Sequence, residues 1–253
     1  MMSRAADRLF HLFFPPRCPL CDRVVPAGEE ICPSCRASVA YEIQPRCMKC
    51  GRSLGKTVRR ETDNAALGVR KEEGRVYCPD CERHPHAYDF GYCLARYHSV
   101  ARGIYRMKYA GRRENAKWFG KEIVRCLGEE IRRLDPEVLV PVPLHRTRLR
   151  KRGYNQAADL AYAISALTGI PVREDLVERK VNTTPMKRSD NEQKRRNNMK
   201  NAFQLRTDDV KYKRIVLVDD IYTSGSTVDA LAVLFRRAGV SGIWFVAVAG
   251  AHL

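Results

Sequence analysis

Arg214-Ile-Val-Leu-Val-Asp219-Asp220-Ile-Tyr-Thr223-Ser224-Gly225-Ser226-Thr227 decides the fold of this chain. Its apolar opening reads as a buried strand that ends in two adjacent carboxylates. A loop of small hydroxyl residues around one glycine follows, and then a helix begins. Gly225 lets backbone approach a ligand closely. The loop N–H groups and the helix N-terminus make an anion site, and Thr223, Ser224, Ser226 and Thr227 add hydroxyl donors. In open α/β sheets ligands bind at the carboxyl ends of strands, where this loop falls.

Asp219 and Asp220 repel phosphate, so their place beside such a loop needs a reason. A ligand with both a phosphate and a vicinal diol supplies one. A ribose 5-phosphate would set its phosphate in residues 223–227 and donate its hydroxyls to Asp219 and Asp220, with magnesium held nearby through diol and water. The competing reading is a receiver-type acidic cluster. A receiver needs most of its sheet after this point, and only 33 residues follow Asp220.

Working outward, residues 89–97, 138–142, 215–218 and 243–248 read as strands. Residues 113–133, 154–167 and 228–237 read as helices. Gly169 with Pro171, and Gly239, act as helix stops. Strands alternating with helices predict an α/β fold with a mostly parallel sheet flanked by helices. Residues 179–201 are polar and basic.

Eight of ten cysteines fall into four C-x2-C pairs: Cys18 with Cys21, Cys32 with Cys35, Cys47 with Cys50, and Cys78 with Cys81. Two intervening residues let both thiolates turn toward one ion, and four thiolates in a closed tetrahedron suit structural zinc. Two zinc ions are expected. Sequential pairing (18, 21, 32, 35 and 47, 50, 78, 81) is the simplest, with an interleaved pairing as the alternative and an iron–sulfur cluster as the rival metal. Cys93 and Cys126 sit among apolar residues and read as core. The 52–77 insertion is rich in charge and glycine and reads as a mobile loop. It holds a decoy, Gly51-Arg-Ser-Leu-Gly55-Lys56-Thr57, with three residues between its glycines where a P-loop needs four. Gly51 instead completes a zinc knuckle. Cysteine pairs stop at Cys81 and His84-Pro85-His86 follows. The expected division is a zinc-ribbon segment at 1–86 and an α/β domain at 87–253.

Net charge is +17, from 46 basic and 29 acidic residues. Residues 1–86 carry 15 basic and 11 acidic side chains, and residues 87–253 carry 31 and 18. The excess therefore belongs to the α/β part and points to polyanionic partners. With 44% hydrophobic residues the chain is no disordered polycation. No apolar run approaches the roughly 20 residues of a membrane span. Asp7, Arg8 and His11 interrupt the apolar start that includes Phe10, Phe13 and Phe14, so a cytoplasmic location is expected. Arg102, Tyr105, Arg106, Lys108, Tyr109, Arg112 and Arg113 interleave cations with rings. Positions 102, 105, 106 and 109 share a helical face that suits single-stranded nucleic acid. The opposing reading packs the tyrosines inward.

The run Val-Leu-Val-Asp219-Asp220-Ile-Tyr-Thr-Ser-Gly-Ser-Thr227 resembles the phosphoribosyl-pyrophosphate signature of type I phosphoribosyltransferases. The wider resemblance is to the ComF family of competence proteins, which join a double zinc ribbon to a phosphoribosyltransferase domain. It extends through Phe14-Pro-Pro-Arg-Cys18-Pro-Leu-Cys21, Met107-Lys-Tyr-Ala-Gly-Arg112, Val140-Pro-Val-Pro-Leu-His145, Arg152-Gly-Tyr-Asn-Gln156, Thr183-Thr184-Pro-Met186 and Arg195-Arg-Asn-Asn198. Met186 and Ser189 depart from the usual Gln and Leu. The resemblance implies binding of phosphoribosyl pyrophosphate with magnesium and transfer of the phosphoribosyl group to an acceptor the sequence does not identify. It places the pyrophosphate beside His145 and Arg146, with Arg148, Arg150, Lys151 and Arg152 following. It implies that residues 179–201, with Lys187, Arg188, Lys194, Arg195 and Arg196, close over the reaction. Two further partners follow from it: single-stranded DNA, and a competence helicase recruited by the ribbons.

Overall fold

The computed structural model describes residues 15–26, 28–54, 71–72, 75–182, 201–207 and 210–251. The cysteine-rich part contains helix α1 (Pro33–Ser38), the short strands β1 (Lys71–Glu72) and β2 (Arg75–Val76), and helix α2 (Pro79–Arg83). Next come β3 (Phe90–Arg96), α3 (Tyr97–Tyr109), α4 (Asn115–Arg133), β4 (Val138–Pro141), α5 (Arg146–Arg152) and α6 (Gln156–Thr168). The chain continues with β5 (Val177–Arg179), β6 (Phe203–Leu205), β7 (Arg214–Tyr222), α7 (Ser226–Arg237) and β8 (Gly242–Gly250).

Strands β3, β8, β7 and β4 form one sheet in that order, and every neighbouring pair is parallel. The expected parallel α/β sheet is therefore present. Strands β7 and β8 are central, covered on both faces, and apolar at successive positions rather than alternate ones, as a two-sided parallel sheet requires. Residues 215–218 are only the first half of β7. The strand runs on through the acid pair, with Asp219 opposite Ala247 and Tyr222 opposite Gly250. Asp219 and Asp220 thus stand on rigid strand rather than at the start of a loop. Residues 97–109 and 146–152, read above for charge, are the helices α3 and α5. A small antiparallel pair, β5 with β6, joins the main body where His145 bridges Arg179.

Two apolar layers flank the sheet. On one face Leu139, Val216, Val218, Val246 and Val248 pack with α3, α4 and α6. Helix α4 buries Ala116, Phe119, Ile123, Leu127 and Ile131 at intervals of three or four, one stripe of an amphipathic helix. On the other face Val138, Val140, Ile215, Leu217, Ile243 and Phe245 pack with Val228, Leu231, Ala232 and Phe235 of α7. The cysteine-rich part takes a share of both layers. Cys18, Leu20, Val25 and Ile31 join the first, and Cys47, Cys50, Cys78 and Cys81 join the second. No helix among the described residues is long and apolar enough to cross a membrane.

Candidate active site and metal centres

The four strands run parallel, so their carboxyl ends open on one edge of the sheet. There β7 delivers Asp219, Asp220 and then Thr223, Ser224 and Gly225, before α7 starts at Ser226. Gly225 caps α7 with φ of +77°, a left-handed conformation that costs any other L-residue. A Cβ at Gly225 would lie 2.7 Å from the Tyr222 hydroxyl and 3.0 Å from His86 Cε1. The loop is tightened by the Ser224 hydroxyl bonding that of Ser226 at 3.2 Å and by Asp229 N–H donating to the Gly225 carbonyl at 2.8 Å. The predicted residues 219, 220 and 223–227 are thus brought together, with the helix amides of α7 facing the loop.

Asp220 is buried and forms an ion pair with Lys108, which reaches over from α3. Its backbone N–H donates to Asp219 Oδ1 at 2.8 Å. Burial would push the Asp220 carboxyl up, but the Lys108 ammonium outweighs it and holds the pKa below the ordinary carboxylate value. Burial and the neighbouring Asp220 charge push Asp219 well up. One carboxyl of the pair is therefore strongly ionised and the other readily takes a proton or needs a cation. Lys108 carried no such role in the sequence reading. It stood there among the cations interleaved with rings and in the Met-Lys-Tyr-Ala-Gly-Arg segment, and a helix was needed to aim it.

Strand β4 pairs with β7, and Val142 N–H donates to the Val218 carbonyl at 2.9 Å. Residues 143–146 therefore leave the sheet beside the acids. His145 caps α5, its Nδ1 accepting from Thr147 N–H at 3.2 Å. Arg146 is exposed and pairs with Glu178 of β5 at 3.6 Å, away from the acids. Arg152, at the far end of α5, is the cation of that helix whose charge lowers Asp220, and it lies 5.3 Å over the Tyr109 ring. Arg146 is thus turned to the β5 side. Residues 183–200, which contain Thr183, Thr184, Met186, Lys187, Arg188, Ser189, Lys194, Arg195, Arg196 and Asn198, lie outside the described residues. So do most of the 52–77 insertion and the decoy Gly55, Lys56 and Thr57.

The cysteines gather in sequential sets. Cys18, Cys21, Cys32 and Cys35 form one cluster and Cys47, Cys50, Cys78 and Cys81 the other, with sulfurs within 4.8 Å of one another in each. Tetrahedral zinc with Zn–S bonds of about 2.3 Å puts its sulfurs about 3.8 Å apart. Cys21 to Cys32 and Cys50 to Cys78 are each 3.7 Å. Donor type, number and spacing all fit a closed, structural zinc site. Gly51, with φ of +71°, turns the second knuckle, and a Cβ there would strike the Gly91 carbonyl at 2.3 Å. Cys93 is fully buried and Cys126 half-buried; neither belongs to a cluster, and the Cys93 thiol donates to the Cys50 carbonyl at 3.5 Å.

Both clusters are held to the α/β part by arginines. Arg106 donates to the carbonyls of Leu20 at 2.5 Å and Cys21 at 3.3 Å, and Arg112 pairs with Asp22 at 3.1 Å. Those two cations were read above with a nucleic-acid face and are engaged by the first ribbon instead. Tyr105 and Tyr109 do face solvent, 62% and 64% exposed, with rings 5.1 Å apart. The inward packing of these tyrosines is therefore overturned.

Comparison with known proteins agrees with this arrangement. A double zinc ribbon domain model matches residues 9–82 and a phosphoribosyl transferase domain model matches residues 149–252. Competence protein F of Haemophilus influenzae is 32% identical over 177 residues, covering 66% of this chain and 75% of that protein. The DNA utilization protein YhgH of Escherichia coli K12 is 25% identical over 233 residues, 89% of this chain and 86% of the relative. YhgH of Salmonella typhimurium is 27% identical over the same length. Among solved structures, a purine phosphoribosyltransferase from Pyrococcus horikoshii superposes with a TM-score of 0.34 at 18% identity, over 54% of this chain and 82% of that one. With its ribbons, its parallel sheet and this degree of likeness to competence protein F, the chain belongs to the ComF family of competence proteins, in which a double zinc ribbon precedes a phosphoribosyltransferase domain.

Proposed function

We propose that the chain binds phosphoribosyl pyrophosphate with magnesium at the end of β7 and transfers the phosphoribosyl group to an acceptor, as part of competence-linked DNA uptake. The observation that carries this reading is the placement of Asp219 and Asp220 on β7 just short of its end at Tyr222, followed by Thr223, Ser224, the left-handed Gly225 and the start of α7. The 5-phosphate takes the amides and hydroxyls of Thr223, Ser224, Gly225, Ser226 and Thr227. Asp219 and Asp220 accept from the ribose hydroxyls. Asp219 with the sugar diol is the position that would hold magnesium, which supplies charge neutralisation of the leaving pyrophosphate when bound. His145, just past the end of β4, takes the pyrophosphate side with the cations of α5 behind it, and Arg146 joins it there by turning from its pairing with Glu178. Lys108 keeps Asp220 ionised and oriented without adding charge to the loop. Displacement at the sugar C1 needs no protein nucleophile, so the task of this chain is positioning and electrostatics. The two segments 1–86 and 87–253 act together, since both ribbons share the core of the sheet.

Calorimetry on the zinc-loaded protein tests this: magnesium-dependent binding of phosphoribosyl pyrophosphate is expected, and its loss in Asp219→Ala with Asp220→Ala. No binding at millimolar ligand sinks the proposal. The reading puts the protein in the cytoplasm, where cysteines serve as metal ligands rather than disulfides.

A second reading is favoured by one observation, the solvent-facing Tyr105 and Tyr109 beside Arg152. Adjacent exposed rings with a guanidinium suit stacking of single-stranded DNA bases. In that role the protein handles DNA without transferring anything, and a helicase of the uptake machinery docks on the ribbons. A flat salt response of DNA binding would exclude it.

A further inference from the structure

Arg52 heads the large, fully buried side chains among the described residues, 1% exposed, and it is a cation. Its guanidinium is divided between three structures. Toward the second cysteine cluster, Nε donates to Cys50 Sγ at 3.3 Å and Nη2 to Cys78 Sγ at 3.6 Å, with Asp80 Oδ2 at 3.0 Å. Toward the sheet, Nη1 donates to the carbonyl of Ala251, just past β8, at 2.7 Å. Across its face lies the Tyr222 ring, 5.5 Å from the guanidinium carbon. Ala251 N–H in turn donates to the Tyr222 carbonyl at 2.9 Å. Tyr222 is the last residue of β7, and the phosphate loop begins at the next one.

Other contacts leave this arrangement little slack. A Cβ on Gly250 would lie 2.7 Å from Arg52 Cγ. The Tyr222 ring stacks on Phe245 at 4.7 Å, and its hydroxyl meets that of Tyr88 at 2.7 Å. Tyr88 stacks on His86, whose Nδ1 sits 2.5 Å from Asp229 Oδ2 in the first turn of α7. The chain leaving Cys81 therefore returns to the same loop from its other side.

We infer that Arg52 is a positioning residue that couples the second zinc centre to the phosphate loop, so that zinc held by Cys47, Cys50, Cys78 and Cys81 and ligand held by residues 223–227 stabilise each other. Four thiolates around one zinc retain net negative charge, which N–H groups of a buried guanidinium offset. With zinc lost, the Cys50 and Cys78 sulfurs are no longer held in place, and the guanidinium loses two of the partners that fix it against Tyr222 and Ala251. The segment leading into the loop is then released. Coupling of this kind is reciprocal. The first cluster touches neither Arg52 nor Tyr222 in any contact described and serves as a reference within the same molecule. The inference rests on the loop being the ligand site.

Pulsed cysteine alkylation read by mass spectrometry on the full, zinc-loaded chain reports each cluster separately. Magnesium and phosphoribosyl pyrophosphate are expected to slow modification of Cys50 and Cys78 about fivefold or more, the low end of common coupling strengths, and to leave Cys18 and Cys35 unchanged. Equal protection of both clusters, or none despite measured binding, overturns the inference. Hydrogen exchange decides the matter without the ligand. In Arg52→Lys, which keeps the charge but cannot span both sulfurs and Ala251, exchange across residues 222–229 should quicken while α4 keeps its rate. Asp80→Asn, isosteric at a partly exposed carboxylate, should give a smaller change in the same peptide if Arg52→Lys does not fold. Unchanged exchange across 222–229 in the folded variants overturns the coupling. Absence of ligand binding with quickened exchange refutes the phosphoribosyl reading alone.

Discussion

Lys108 and Asp220, 112 positions apart, form an ion pair inside the carboxyl edge of the sheet, and that pair sets the charge state of the whole acidic site. Removing one partner leaves the other buried and unpaired. Lys108→Met should lower unfolding free energy by about 3–5 kcal/mol at neutral pH, the usual result of breaking a buried pair from one side. Asp220 has a lowered folded pKa, so its contribution is present above the unfolded value and fades as pH falls. The deficit of the variant should therefore shrink below about pH 4. Urea unfolding at two pH values measures both effects.

Asp219 has the opposite sign. Its folded pKa is raised, so the folded protein loses stability as pH climbs from about 4 toward that raised value. Asp219→Asn keeps an oxygen for the Asp220 N–H and removes the charge. The variant should be more stable than the parent at pH 7 and should lose magnesium-dependent ligand binding. Greater stability of the parent at pH 7 would contradict this assignment.

Gly225→Ala places a methyl against the Tyr222 hydroxyl and forces a left-handed residue. The backbone part alone costs about 1–2 kcal/mol. Thermal unfolding should show at least that loss, and phosphoribosyl pyrophosphate binding should fall further than stability does, because the loop itself must shift.

Metal analysis should return two zinc per chain. Stripping the second site should destabilise more than stripping the first, since all four of its cysteines are buried in the α7-side core while three of the first set are only half-buried. Chelator titration followed by circular dichroism distinguishes the two. A single zinc would contradict the double-ribbon arrangement.

Tyr105→Ala with Tyr109→Ala should leave stability within about 0.5 kcal/mol for each position, as solvent-facing changes do. Under the DNA reading it should weaken single-strand binding by about 1–3 kcal/mol per stacked base. Arg106→Ala should do the reverse, costing stability through the lost Leu20 and Cys21 carbonyl bonds with little effect on DNA. Fluorescence anisotropy beside thermal melts separates the two outcomes.

Local chemistry was legible in the order of residues. Paired cysteines with two residues between them can reach one ion in almost any backbone, and Val-Leu-Val-Asp219-Asp220 followed by a glycine loop writes strand, acids and anion site in one stretch. The parallel α/β sheet followed from strands separated by helices, because crossover connections allow little else. What linear order could not supply was partnership across distance. Arg102, Arg106, Lys108 and Arg112 share one charge and one short stretch of sequence. Only packing sent Arg106 and Arg112 to the first ribbon, Lys108 to Asp220, and left Tyr105 and Tyr109 in solvent. Arg52 read as one charge in a polar insertion; folding buried it between zinc ligands and the end of β7. A residue's type is fixed locally, but its partner, and hence its charge state and task, depends on which elements close around it.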